Sequence, residues 1–147
     1  MKILTGVPAE RLNDIPSLAQ AAEHNGFSGL STQENRHNPF LPLAIAAVHS
    51  QQLELRTNVA IAFARSPMVA AGLAWDLQYA TAGRFVLGLG SQVKGHNQRR
   101  FSVPWSPPAP RLREYIEAIQ AIWDCWRDGT PLQYEGKHYQ FSLMTPN

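Results

Sequence analysis

The sequence contains a single cysteine, Cys125, among 147 residues. That count excludes an intrachain disulfide and a cysteine-built metal cluster, and makes a reduced cytoplasm the default compartment. Charge is sparse too: charged residues are 16% and the formal net charge is +2. So small a surplus gives no argument for nucleic acid as a partner. Lys94, Arg99 and Arg100 form a small basic cluster that suits a solvated or anion-facing loop. No apolar run approaches the roughly 18 residues of a membrane span, so no membrane partner is expected. The opening Met1-Lys2-Ile3-Leu4-Thr5-Gly6-Val7-Pro8 turns polar too soon for a signal peptide. What remains is a chain with 44% hydrophobic residues, enough for one globular domain with a core.

Punctuation by glycine, proline and polar clusters divides the chain into alternating strands and helices. Lys2 to Val7 reads as a first strand. A helix follows, capped by Asp14, with Pro16 in its first turn, Ile15, Leu18, Ala19 and Ala22 on its buried stripe and Gly26 at its end. Phe27 to Thr32 is a second strand. The dense polar loop Gln33 to Asn38 leads into a helix beginning at Asn38-Pro39, with Leu41, Ala44, Ile45 and Val48 as its expected buried face. A third strand lies within Leu53 to Ala62. Arg65-Ser66-Pro67 opens a third helix, and Gly83 stops it. Strand starts recur about every 25 to 30 residues, the length of a βα unit in parallel α/β folds. The rhythm then breaks. Residues 90–110 read as a long proline-marked loop, Arg111 to Arg127 as a helix, and residues 132–141 as a β-hairpin. Residues 144–147 carry no closing element.

The stretch on which the chain is organised is Gly83-Arg84-Phe85-Val86-Leu87-Gly88-Leu89-Gly90-Ser91-Gln92. Its apolar run predicts a strand buried on both faces. Gly88 and Gly90 share one face, free of side chains, which a backbone or a ligand can approach. Ser91 and Gln92 place hydrogen-bonding groups at the C-terminal end, where parallel α/β folds bind ligands. Gly88-x-Gly90 is not a dinucleotide fingerprint. The third glycine would fall at position 93, which is Val93, and no helix is expected to start there.

Glu34 and His37 sit in the loop after strand two, where such folds place chemistry. They are candidates for acid/base work or for orienting a substrate; the alternative is a polar loop ending in a helix cap at Asn38. With His96 they make too small a set for a metal site. His96, a few residues past the glycine stretch, is a further ligand-facing candidate. His49 and His138 read as structural, and Trp123 and Trp126 as core or subunit interface.

In order and spacing, these motifs resemble the bacterial luciferase-like monooxygenase family. The match runs through Asn38-Pro39-Phe40-Leu41-Pro42, Ala64-Arg65-Ser66-Pro67, Gly83-Arg84-Phe85 with Leu87-Gly88-Leu89-Gly90, Arg111-Leu112-Arg113-Glu114-Tyr115, and Tyr139-x-Phe141. The flavour is that of the branch using the deazaflavin coenzyme F420, with FMN as the alternative cofactor. The resemblance implies an α/β fold of the (β/α)8 TIM-barrel type, hydride transfer at the strand C-terminal ends, and a small-molecule substrate in a homo-oligomer. It implies a cis peptide near Asn58 to Ala62, with Ala60 and Ala62 leaving room for a cofactor ring. It also implies that Ser91, Gln92 and His96 face that ring, which Gly90, on the face free of side chains, is expected to approach closely. Family sugar-phosphate dehydrogenases carry an acid/base histidine after strand two, and the matching positions here are Gln33 and Glu34. Only about four βα units are present, so residues 1–147 read as the N-terminal half of a barrel domain, with loop 90–110 and hairpin 132–141 as insertions. Two other readings stand beside the oxidoreductase: a catalytically silent half-barrel acting through another chain, and a flavodoxin-like binding domain.

Overall fold

The structure is a computed structural model. It describes residues 1–8 and 10–145; Pro146 and Asn147, within the segment expected to carry no closing element, lie outside the described residues. Strands and helices alternate as β1 (Leu4–Gly6), α1 (Ile15–His24), β2 (Gly29–Thr32), α2 (Phe40–His49), β3 (Glu54–Thr57), β4 (Ala60–Ile61), α3 (Pro67–Ala80), β5 (Phe85–Val86) and β6 (Leu89–Gly90). They are followed by α4 (Lys94–Arg99), α5 (Pro108–Asp128), β7 (Tyr134–Glu135) and β8 (Gln140–Phe141). The chain divides into two compact units. One comprises Met1–Ala60 with Leu73–Gly90; the other comprises Ile61–Gly72 with the chain from Ser91 onward.

In the first unit, β1, β2, β3 and β5 form a four-stranded sheet in that order, every pair parallel. Leu30 and Leu55 stand opposite each other in register and are buried, with Ile15, Ala19, Phe40 and Leu43 also in the core. Each large apolar side chain buried there contributes about 1.5–3 kcal/mol relative to exposure. The helix-to-strand turns are held by charged side chains on main-chain groups. The Glu23 carboxylate accepts from Gln51 N–H at 3.0 Å, and the Arg84 guanidinium donates to the carbonyls of Leu53 and Ser50. Gly26 and Gly83 follow their helices at φ +77° and +89°, the left-handed conformation that helix ends use.

Several expectations are corrected here. Helix α2 buries Phe40, Pro42, Leu43, Ala46 and Ala47, while Leu41 is 53% and Val48 71% exposed. The helix is apolar almost all round, so two stripes compete at 3.6-residue spacing and sequence alone cannot choose between them. The Asp14 side chain makes no cap; the residue ends a 3-10 turn and its carbonyl accepts from Ser17 Oγ at 2.9 Å. Asn38 does cap α2, its Oδ1 accepting from Phe40 N–H at 2.8 Å. The strand expected over Phe85 to Leu89 is two short strands, β5 and β6, interrupted at Leu87-Gly88, and Val86 is 42% exposed.

In the second unit, residues 90–110 are not one loop. They hold α4 and the first turn of α5. Pro108 and Pro110 sit in that first turn, where a missing N–H breaks no helical bond. Gly129 ends α5 in the left-handed conformation at φ +67°. Tyr115 is fully buried, edge-on to Phe63 with ring centroids 6.5 Å apart and to Tyr139 at 5.5 Å. Arg111 lies over the Phe63 ring at 4.4 Å and donates from Nε to the Tyr139 hydroxyl at 3.0 Å. The expected hairpin forms, with Tyr134 opposite Phe141 and Glu135 opposite Gln140. Helix α5 anchors it: Glu114 Oε2 accepts from His138 N–H at 2.7 Å, and the Tyr134 hydroxyl donates to Glu117 at 3.1 Å. Trp123 Nε1 donates to Ala71 O and Trp126 Nε1 to Met144 Sδ, both at 3.1 Å, which makes this pair structural.

Candidate functional site

The C-terminal ends of β1 and β2 open onto a cavity of about 490 Å³. Gly6, at the end of β1, and Ser31, in β2, form its base. Gln33, Asn35, Arg36 and His37 supply its polar wall. The loop carries these groups because Thr32, buried at the end of β2, turns it: its hydroxyl donates to Pro39 O at 2.8 Å. His37 thus stands in the cavity wall. Glu34 is half-buried and is not among the wall residues. The two candidates come from one loop, and only His37 faces the open space.

A second piece lies where β3 gives way to β4. The Asn58–Val59 peptide is cis, inside the stretch in which the family resemblance placed one. The bend is held by Thr57, whose Oγ1 donates to Gly88 O at 2.7 Å and accepts from Gly88 N–H at 2.9 Å. Ala60 N–H also donates to Gly88 O, at 2.8 Å. The side-chain-free face is therefore occupied from this direction. A Cβ added to Gly88 would overlap the Thr57 carbonyl, and one added to Gly90 would sit 2.6 Å from Val59 Cγ2. Gly90 gives its space to Val59, which corrects the expectation that a ligand closes on that face. Ala60 and Ala62 are fully buried, so the accessible atoms of this segment belong to the exposed Asn58 and Val59.

The third piece follows β6. Ser91 and Gln92 are half-exposed, and Gln92 takes φ +58°. Helix α4 begins two residues later, at a point where no helix was expected; its six residues carry no apolar stripe for sequence reading to find. His96 is exposed on α4. Asn97, beside it, has a role that sequence reading did not assign. It is 4% exposed, and its Nδ2 donates to Ser91 O at 3.0 Å and to Gln92 O at 3.4 Å. Its Oδ1 is buried without a partner among the described residues. A buried acceptor left that way costs about 1–3 kcal/mol. The sequence does hold a signal: asparagine is a poor interior helix residue, and at Asn97 it caps nothing.

Parallel strands added in chain order, each followed by a helix, with polar loops at their C-terminal ends, place the chain in the (β/α)8-barrel class. A doubly wound sheet would reverse its strand order, and this one does not, so the flavodoxin-like reading falls. The chain belongs to the luciferase-like monooxygenase family, which it matches over residues 2–146. An uncharacterized protein of Mycobacterium tuberculosis is 50% identical over 143 residues, which is 97% of this chain and 42% of that protein. A putative coenzyme F420-dependent oxidoreductase of the same organism is 33% identical over 131 residues, 86% of this chain and 36% of the relative. The oxygenating constituent of 3,6-diketocamphane monooxygenase from Pseudomonas putida, solved with FMN, shares the fold at a TM-score of 0.82 and 17% identity, over 99% of this chain and 45% of its own. The chain spans about two fifths of the length of the curated relatives it matches. Among the described residues, no helix is long and apolar enough to cross a membrane.

Proposed function

We propose that the full-length protein containing this chain is an oxidoreductase that transfers hydride between coenzyme F420 and a small organic substrate. The observation that carries the choice is the 33% identical relative named as F420-dependent; the FMN-bound neighbour, at 17% identity, speaks for the fold alone. FMN is the alternative cofactor. When bound, the cofactor supplies the hydride chemistry, and the protein places the ring and the substrate. The groups present suit a flat ring rich in carbonyls. Ser91 offers a hydroxyl, Gln92 a main-chain N–H with no hydrogen-bond partner among the described residues, and His96 an exposed imidazole. In the first unit Ala60 is buried and small and Val59 is seated against Gly90; in the second, Ala62 is likewise buried and small. Glu34 and His37 act on the substrate, His37 moving or holding a proton from the cavity wall and Glu34 orienting the loop or the substrate. The partners in this reading are a small molecule and a second copy of the same protein in the cytoplasm, with no nucleic acid and no membrane. A second reading, which the open edges β1 and β5 of the parallel sheet favour, is a half-barrel that works only through another chain. Fluorescence titration of the full-length protein with F420 and, separately, FMN tests the first reading. Tighter binding of F420 is expected; binding of neither removes it.

A further inference from the structure

The turn after β6 is held from inside by one side chain. Asn97, 4% exposed, donates from Nδ2 to the carbonyls of Ser91 and Gln92. Two acceptors around Nδ2 fix the orientation of the amide, since a flipped amide would set oxygen against oxygen. The Ser91–Gln92 peptide is trans. In a planar trans peptide the C=O and N–H point in opposite directions. With the Ser91 oxygen turned in toward buried Asn97, the Gln92 N–H is turned the other way. That N–H has no hydrogen-bond partner among the described residues. The Gln92 side chain is already engaged, its Oε1 accepting from Val93 N–H at 2.9 Å. Gln92 is held at φ +58°, a conformation that glutamine seldom adopts unaided.

We propose that Asn97 is a positioning residue: by anchoring these two carbonyls it presents the Gln92 main-chain N–H as a hydrogen-bond donor to a carbonyl oxygen of the cofactor ring. The assignment rests on the reading that the turn after β6 takes a deazaflavin or flavin. The test follows the amide signals of the isotope-labelled full-length protein by NMR as F420, and separately FMN, is added. The Gln92 amide is expected to move downfield and its solvent exchange to slow about tenfold or more on saturation. Asn97→Asp keeps the size of the side chain but donates to neither carbonyl; it is expected to bind the cofactor about tenfold more weakly, with a Gln92 amide that no longer responds. Cofactor binding that leaves the wild-type Gln92 amide unmoved overturns the proposal and leaves the functional reading standing. Wild-type affinity in Asn97→Asp overturns it as well. Binding of neither cofactor overturns both. If Asn97→Asp does not fold, the wild-type titration decides alone.

Discussion

Thr57→Val is the sharpest test of how the third strand meets the glycine stretch. Valine matches threonine in shape, so the packing of this buried residue is retained. What is removed is one hydroxyl that both accepts from Gly88 N–H at 2.9 Å and donates to Gly88 O at 2.7 Å. Gly88 O keeps a second donor, Ala60 N–H at 2.8 Å, whereas the N–H loses the partner described for it. Two hydrogen bonds at a net of about 1 kcal/mol each, with part of the desolvation penalty of the orphaned N–H, give a loss of about 2–3 kcal/mol. For a chain of this size that lowers the thermal midpoint by about 5–10 °C. Thr57→Ser is the control: it keeps the hydroxyl and loses a methyl, at about 1 kcal/mol. Urea unfolding of the three proteins, with equal slopes, gives the differences directly. A valine variant as stable as the serine variant would refute the reasoning, because the hydroxyl would then hold nothing.

The alternation of strand and helix was legible because each boundary carries its own local chemistry. Gly26, Gly83 and Gly129 stand where chains leave helices at positive φ, and Asn38 caps the helix it precedes. The family was legible for a related reason, since its motifs lie at those boundaries. What could not be read depends on contacts distant in sequence. Nothing within Phe85 to Leu89 says that the strand breaks at Leu87-Gly88; the break is imposed by Thr57, 31 residues upstream. The same residue and Val59 fill the glycine face that the sequence left open to a ligand. Helix α2 offered two apolar stripes and no polar residue before His49, in its last turn, to exclude one. Of the candidate site residues, the placement of His37 followed from the loop position alone, while the burial of Ala60 and Ala62 and the anchoring by Asn97 depend on contacts made only in the folded chain.

Gly90→Val should destabilise the protein as well as weaken cofactor binding, because the new side chain meets Val59 Cγ2; overpacking of this kind costs about 1–3 kcal/mol. Thermal unfolding of Gly90→Ala alone and with Val59→Ala isolates that contact, and no recovery in the double variant would exclude it. Glu34→Gln and His37→Gln in the full-length protein should each lower turnover, His37→Gln by the roughly 10²- to 10⁴-fold of a lost proton-handling group and Glu34→Gln by less. A change under about threefold would return that residue to a structural role. The Tyr134 phenol is pushed up to about 12, by burial first and then by its hydrogen bond to Glu117. A raised value in the folded state gives stability that is complete below the usual tyrosine range, near pH 10, and is lost as pH rises toward 12. Tyrosinate absorbance should show a late-titrating component in the wild type, part of which moves earlier in Glu117→Gln, and a titration curve identical in both proteins would detach Tyr134 from Glu117. The last expectation concerns the 147-residue chain expressed alone. Its parallel sheet has β1 and β5 as edges, and a strand edge offers unpaired N–H and C=O groups to any second chain. Apolar side chains accompany those edges: Ile3 beside β1 is 51% exposed and Val86 in β5 is 42% exposed. Helix α2 adds Leu41 and Val48, seven positions apart and on the same outer stripe. A closed eight-stranded barrel has no such edges. Sedimentation at about 10–100 μM should therefore find dimers or larger species, with the weight-average mass rising with concentration. Lysine at Val86 should shift the distribution toward monomer, since a charge on an edge opposes pairing. A monomer at every concentration, with Val86→Lys unchanged, would mean that the edges are closed by the chain's own structure.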